Sequence, residues 1–414
     1  MTKNSELLVS QLQHVCRTVP YYRERFNNSE CPNDVPSIHN FPLLGKEDVV
    51  RNEGAFISDN YASKYQTGDL LLKRTSGSTG KCMNVYWLPS DYYLSNIEAW
   101  RYRSKWYGVS IKDRYAKFHS TLYINGTVDT SPKSIIIKGQ TISFDKMNLN
   151  EESIHTYIGK MNEFKPSWMT IQPSVLHALI SCATPNELHI LNSFKYIEFI
   201  SEFLHPNTLE HFKKMLPNVN FGDLYGTTET GCISLKCPCG NHHILNNVYV
   251  EIFDDNYTGL TDGEGKIVLT SLRNSAMPLI RYCIGDRGKI LYKDCACGYK
   301  GFDISLTLGR EYDIIELPNG EKRHSSVFWQ IIEEVLFEYP ESITQFFITQ
   351  EKLDLMTFHL SISDKYRLWH MSIEESLRNA FGKFFSKDLN CQVYYDCDNL
   401  AGARNKNNIY TRLE

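Results

Sequence analysis

The chain has 414 residues, 42% of them hydrophobic, and a formal net charge of −4. That length exceeds one ordinary core, so a large domain with a smaller companion is expected. The faintly acidic balance lacks the footprint of a nucleic-acid binder, and no apolar run approaches the ~20 residues that span a bilayer.

The start, Met1-Thr2-Lys3-Asn4-Ser5-Glu6, is polar, which with the lack of a spanning run implies a cytoplasmic chain without a membrane partner, as the charge implies one without nucleic acid. Without a leader, the twelve cysteines read as thiols or metal ligands rather than disulfides. Leu8, Leu12 and Val15 recur at helical spacing and predict an amphipathic helix ending near Pro20. Tyr21, Tyr22 and Arg23 make a polar-aromatic corner, and residues 46–51 predict a short helix.

Thr75-Ser76-Gly77-Ser78-Thr79-Gly80-Lys81 follows, between apolar runs at Leu70–Leu72 and Val85–Trp87. Glycines let an anion approach backbone N–H groups, hydroxyls add donors, and the lysine adds a mobile positive charge, which suits a polyphosphate. The Walker spacing is absent, because Gly77 and Gly80 lie too close and Cys82 follows the lysine. A polar hairpin turn is the competing reading of this stretch alone.

Residues 90–107 predict a helix with Tyr93, Ile97, Trp100 and Trp106 towards one side. A strand at 115–120 carries His119, which suits either a pocket wall or a structural role. Asn150 is an N-cap for a helix with Ile154, Ile158 and Met161 on its apolar face. Strand-then-helix recurs at 168–182 and at 196–215, which argues for α/β architecture with mainly parallel strands.

Phe221–Glu229 then ends a strand in a hydroxyl-rich turn closing on a carboxylate. Tyr225 offers a flat face for a base, Thr228 a donor for phosphate and Glu229 an oxygen ligand for Mg²⁺; a simple capped turn is the alternative. Strands are expected at 248–253 and 266–270. The run Pro278–Gly285 delivers Asp286, a carboxylate suited to accepting two ribose hydroxyls. Beyond Gly309-Arg310-Glu311-Tyr312-Asp313, strands near 345–349, 355–362 and 392–395 surround a helix with Ile373, Leu377, Phe381 and Phe384 on one face. That is a self-contained α+β unit of about 100 residues.

Thr75–Lys81, Tyr225-Gly226-Thr227-Thr228-Glu229, Arg281–Asp286 and Gly309–Asp313 occur in the order and rough spacing of adenylate-forming enzymes. Within that superfamily the chain resembles the phenylacetate–CoA ligase branch with its capsular-polysaccharide-biosynthesis relatives. Val19–Arg23, Lys165-Pro166 with Gln172-Pro173-Ser174, and Ala276–Tyr282 favour that branch. The resemblance covers roughly residues 15 to 330. It implies a large N-terminal adenylation domain with mixed β-sheets and helices over 1–309, and a small α+β C-terminal lid over 310–414.

The implied reaction joins a small carboxylic acid to the α-phosphate of ATP, with Mg²⁺, releasing pyrophosphate and leaving an acyl-adenylate. The acyl group then passes to a thiol, usually that of CoA, as in acyl- and aryl-CoA ligases. Carried over by position, Thr75, Ser76, Gly77, Ser78, Thr79, Gly80 and Lys81 belong to the loop over the β- and γ-phosphates. Tyr225, with Gly226 and Thr227, faces adenine; Thr228 contacts the α-phosphate and Glu229 holds Mg²⁺. Lys81, Thr228 and Glu229 are the expected catalytic residues. Asp286 holds the ribose, with Arg310 beside it at the hinge, and Ser201-Glu202 stands where relatives carry a glycine-glutamate strand end. A homodimer is the assembly common in the branch.

Cys237-Pro238-Cys239-Gly240 and Cys295-Ala296-Cys297-Gly298 repeat one turn pattern. Two such chelating turns supply four soft ligands for a structural, tetrahedral Zn²⁺, and the branch can carry one here. Cys237, Cys239, Cys295 and Cys297 are the expected set, with His243 as an alternative to Cys239.

The pattern also departs from the family. The lysine expected near the C-terminus falls, by register, on Ala403, with Arg404 and Lys406 nearby. The hinge position is Tyr312, and Pro318–His324 replaces the usual glycine-asparagine turn. Three functions therefore stand: a carboxylate–CoA ligase, an adenylating ligase that transfers to an amine to give an amide, and a nucleotide-binding protein that has lost catalysis.

Overall fold

A computed structural model describes residues 3–25, 37–75, 83–119, 135–146, 149–261, 263–310, 314–324, 327–339, 342–385, 389–395 and 410–412. The chain divides into two compact units, one of residues 1–110 with 223–307, the other of 111–222 with 308–414.

In the first unit, helix Lys3–Thr18 runs to Pro20, which opens the short helix Pro20–Arg25. Leu12, Val15, Cys16 and Val19 are buried and share a core with Phe41, Trp87 and Tyr282. The unit's sheet orders its strands as Gly259–Leu260, Val248–Phe253, Gly265–Ser271, Tyr282–Asp294, Lys300–Arg310, His242–Ile244, Gly231–Lys236 and Asn220–Thr227. Its registered pairs are antiparallel, because short turns rather than helical crossovers join most of them. The parallel expectation does not extend to this sheet.

Helix Pro89–Tyr102 buries Ser95 and Ala99, whereas Tyr93 and Ile97 are exposed. The reason is close approach: a Cβ added at Gly231, which has φ 79°, would stand 2.9 Å from the Ser95 Oγ. Small residues let the helix lie against that strand, while Tyr93, Leu94 and Ile97 face out and Trp100 is half-buried.

Parallel pairing is a feature of the second unit. Strands Tyr196–Phe199, Trp168–Ile171, Tyr115–His119 and Thr141–Asp145 pair in parallel, with Ile135–Lys138 antiparallel at the edge. Helix Glu151–Phe164 starts at Asn150, whose side chain accepts the Ser153 N–H at 2.9 Å. Its Ile154, Ile158 and Met161 are buried against Met169 and Leu179.

The segment from 314 onwards has its own core of Ile331, Phe358, Ile373, Leu377 and Phe381 among others. Its sheet runs Asn390–Tyr395, Leu355–Ile362, Ile343–Lys352, Tyr410–Arg412. Helix Pro173–Cys182 meets this sheet through His177, whose Nε2 donates to the Ile343 carbonyl at 2.9 Å. Complete burial pushes that imidazole down to about 4, so it sits neutral as a donor. Pro318–His324 forms a hairpin, with Gly320 at φ 79° and Ile314 paired to His324.

Candidate functional site

Two short strands, Leu71–Arg74 and Asn84–Trp87, pair antiparallel and bring the ends of the glycine loop together. Thr75 closes the neck: its N–H donates to the Met83 carbonyl at 2.9 Å, and its Oγ1 accepts the Met83 N–H at 3.0 Å. Ser76, Gly77, Ser78, Thr79, Gly80 and Lys81 lie outside the described residues. The hairpin is held from below by Glu53, which accepts from Tyr86 Oη at 2.9 Å, Asn84 Nδ2 at 3.1 Å and Tyr65 Oη at 3.2 Å. Burial, reinforced by this carboxylate, pushes the Tyr86 phenol up.

Strand Asn220–Thr227 carries Tyr225 and runs into the turn that ends at Glu229. Gly226 permits the tight return, since a Cβ there would meet the Gly231 carbonyl oxygen at 3.0 Å. Within the turn, the Thr227 Oγ1 accepts the Thr230 N–H at 3.2 Å and lies 2.9 Å from the Thr230 hydroxyl. From outside, the Trp87 indole N–H donates to the Thr228 carbonyl at 3.3 Å. The same Trp87 ends the hairpin strand that leaves the glycine loop, so one side chain links both expected phosphate elements.

The third element is strand Tyr282–Asp294. Arg281 enters it with φ 53° and is held by Phe41 O at 2.8 Å, Glu251 Oε2 at 3.2 Å and the Thr270 hydroxyl, which accepts its N–H at 2.9 Å. Glu251 is nonetheless pushed up, because burial outweighs its partner. Pairing then slips between Val268–Cys283 and Lys266–Arg287, and Gly285 at φ 81° lies inside the slip. Such a bulge re-aims a side chain. Here Asp286 Oδ2 accepts the Tyr225 phenol at 2.7 Å, and at the strand start Tyr282 Oη donates to Glu229 Oε1 at 3.3 Å. Two separate hydrogen bonds thus tie the stretch Tyr225–Glu229 to strand Tyr282–Asp294, one from Tyr225 to Asp286 and one from Tyr282 to Glu229. The side chain of Arg310, with Tyr312 and residues 396–409, lies outside the described residues.

Glu202, in the second unit, accepts the Ser174 N–H at 3.0 Å and the Ser174 hydroxyl at 2.8 Å. It thereby satisfies the N-terminus of helix Pro173–Cys182. Ser201 before it has φ 67°, the backbone region that a glycine would enter without a steric cost. His119 has its backbone in a strand and its side chain outside the description.

The cysteine turns match each other. Gly240 N–H donates to Cys237 O and Gly298 N–H to Cys295 O, both at 2.9 Å, with the glycines at φ 87° and 86°. Cys237, Cys295, Cys297 and His243 place their ligand atoms within 4.8 Å of one another. Cys237 Sγ lies 3.8 Å from Cys295 Sγ, and His243 Nε2 lies 3.2 Å from Cys297 Sγ. Cys239 is exposed and stands outside this group. His243 takes the fourth place because it is buried, stacked on Tyr299 at 4.1 Å and paired through Nδ1 with Asp303.

That pairing turns Nε2 towards the sulfurs, as in a carboxylate–histidine–metal arrangement. Burial pushes the Cys237 thiol up to about 12, while the Cys297 backbone N–H draws Cys295 down to about 6. Three sulfurs and one imidazole nitrogen are a donor set that fits tetrahedral Zn²⁺. Asp303 Oδ2 is buried with no hydrogen-bond partner among the described residues, while Oδ1 is the atom paired with His243.

A further polar chain runs from Asp223 Oδ2 through His242 Nε2 at 3.2 Å, and from His242 Nδ1 to the Ser234 hydroxyl at 3.3 Å. Ser234 is fully buried, which excludes it as a nucleophile for an external acyl group. Trp87, Tyr282, Glu53 and Asp303 are the site-building residues that sequence reasoning missed. Tyr282 lies inside a motif already singled out; Glu53 and Asp303 had no local signal.

A family model for AMP-binding enzymes matches residues 58–272. A phenylacetate–coenzyme A ligase of Thermus thermophilus is 28% identical over 155 residues, 35% of this chain and 34% of that protein, so the chain matches only about a third of this relative's length. An indoleacetate–lysine synthetase of Pseudomonas savastanoi is 22% identical over 71% of this chain and 70% of its own. Among solved structures, a 2-hydroxyisobutyryl-CoA ligase in the postadenylation state with R3-HIB-AMP superposes with a TM-score of 0.67. That match has 14% identity and covers 98% of this chain and 88% of the other. An anthranilate CoA ligase with anthranoyl-AMP gives 0.51 at 15% identity, over 80% and 64%. With the glycine-loop hairpin, the Tyr225–Glu229 turn and most of the first unit's sheet inside the matched span, the chain belongs to the AMP-binding enzyme family, within the adenylate-forming superfamily.

Proposed function

We propose that the chain is an AMP-forming carboxylate ligase that passes its acyl group to the thiol of CoA. A carboxylate oxygen attacks the α-phosphorus of ATP, the bond to the bridging oxygen breaks, and pyrophosphate leaves with the electron pair. The thiol then attacks the acyl carbonyl, AMP departs and the thiol proton is lost. The observation that carries this reading is the Tyr225–Asp286 bond at 2.7 Å with Glu229 on the adjoining turn. It supports a base-and-ribose seat next to a metal carboxylate.

In this reading Tyr225 stacks on adenine, Asp286 accepts the ribose hydroxyls, and Arg310 sits beside them. Thr228 meets the α-phosphate, while Ser76, Thr79 and Lys81 cover the β- and γ-phosphates. Glu229 would hold Mg²⁺, which supplies charge neutralisation when bound. Positioning and neutralised charge are what phosphoryl and nucleotidyl chemistry require. Zn²⁺ held by Cys237, His243, Cys295 and Cys297 would be structural, since four protein ligands leave no open position.

A second reading, transfer to an amine, is favoured by the likeness to the indoleacetate–lysine synthetase over 71% of this chain. Acid-dependent ATP–pyrophosphate exchange across a panel of carboxylic acids tests the shared first step; its absence with every acid would favour a nucleotide-binding protein without catalysis. Adding CoA or amines to the responsive acid separates the two acceptors. CoA consumption with that acid would remove the amide reading for it.

A further inference from the structure

Tyr282 is 2% exposed, and its backbone is clamped on both sides. Leu44 N–H donates to Arg281 O at 2.9 Å and Cys283 N–H donates to Leu44 O at 2.9 Å, a parallel bridge across Tyr282. The ring packs in a core with Met277, Leu279 and Ile280. From this fixed base its hydroxyl reaches out to Glu229 Oε1 at 3.3 Å. Packing alone needs no hydroxyl here, for a phenylalanine would fill the same core. A phenol orients a carboxylate without cancelling its charge, as lysine or arginine in that place would.

We propose that Tyr282 is a positioning residue that aims the Glu229 carboxylate at the divalent cation of the bound nucleotide. The inference rests on the reading of Glu229 as a metal ligand. It adds that the ligand's direction is set from strand Tyr282–Asp294, the same strand that presents Asp286 to Tyr225. One strand would then hold both the ribose carboxylate and the metal carboxylate in register. Partners that orient a metal ligand commonly change metal affinity by about 10–100-fold when removed.

The test compares wild type, Tyr282→Phe and Glu229→Ala. Mn²⁺ bound to full-length protein in the presence of α,β-methylene-ATP is measured from the free-Mn²⁺ paramagnetic resonance signal. Binding of the analogue without metal and thermal melting are measured alongside. Tyr282→Phe should weaken Mn²⁺ binding about 10-fold, leave metal-free analogue binding and melting unchanged, and raise the Mg²⁺ half-saturation of pyrophosphate exchange in step. If Tyr282→Phe binds Mn²⁺ like wild type while Glu229→Ala does not, the positioning role is overturned and the metal assignment stands. If Glu229→Ala also binds Mn²⁺ like wild type, the metal assignment itself falls. Equal loss of melting temperature and of metal-free analogue binding in Tyr282→Phe would reduce Tyr282 to a packing residue.

Discussion

The turn ending at Glu229 and the paired turns at Cys237–Gly240 and Cys295–Gly298 lie in the same unit and differ in what holds them. The first is gripped at its edges by aromatic tips, Trp87 on the Thr228 carbonyl and Tyr282 on Glu229. The others are closed by their own backbone, each glycine N–H returning to the first cysteine's carbonyl, and converge on a cluster within 4.8 Å. An edge-held turn takes its shape from neighbouring side chains rather than from a ligand, which suits a ligand that comes and goes. A cluster of converging soft donors would satisfy itself around one resident ion, as proposed for Zn²⁺, and three buried or half-buried thiols without it would be poorly solvated.

The comparison predicts different failures. Cys295→Ala should remove the metal and destabilise the first unit by about 4–5 kcal/mol or more. Metal content per chain and chemical denaturation check it. Protein isolated without added zinc should carry about one equivalent; less than half would break the contrast at its root. Cys239→Ala sharpens the same point, since an exposed thiol outside the group should change neither metal content nor stability. Loss of zinc in that variant would restore the four-cysteine set.

At the other turn, Glu229→Ala should leave zinc content and melting intact and lower acid-dependent pyrophosphate exchange about 10²–10³-fold. Near-normal exchange would remove Glu229 from the metal site. A large stability loss would instead show that this turn, like the cysteine turns, is built around its ligand group.

How much of this was legible in the sequence follows the same division. Cys237-Pro238-Cys239-Gly240 and Cys295-Ala296-Cys297-Gly298 announced two matching turns, and the matching glycines at φ 87° and 86° are their local chemistry. The fourth member of the cluster was not legible, because His243 is oriented by Asp303, sixty residues away in the chain. Tyr225, Glu229 and Asp286 were legible as spaced motifs, since each carries its own chemistry. The bond between Tyr225 and Asp286 comes after a strand slip at Gly285 that no residue pattern announces. The helix at 90–107 shows the converse: its large residues line one side, yet Tyr93 and Ile97 are exposed and the small Ser95 and Ala99 are buried, at the close approach to Gly231. In the second unit, the apolar spacing of Ile154, Ile158 and Met161 was sufficient, because burial there obeys helical periodicity alone.

Tyr225→Phe probes the edge-held turn at its gentlest point. The variant keeps the ring and loses only the donor to Asp286 Oδ2. A hydrogen bond to a charged acceptor contributes about 1.5–3 kcal/mol, but in the nucleotide complex the ribose hydroxyls would donate to the same carboxylate and recover part of it. Because the bond is already present without nucleotide, its loss weakens ATP binding only through the aim of the Asp286 carboxylate, and the KM for ATP should rise by less than about 10-fold with kcat nearly unchanged, because ground and transition states share the ribose contact. Steady-state exchange at varied ATP reads both constants. A fall in kcat with KM unchanged would mean that the phenol acts on the reacting phosphate rather than on the ribose seat. The turn would then be shaping the transition state through Tyr225, and its two bonds to strand Tyr282–Asp294, Tyr225 to Asp286 and Tyr282 to Glu229, would have to be treated as one element.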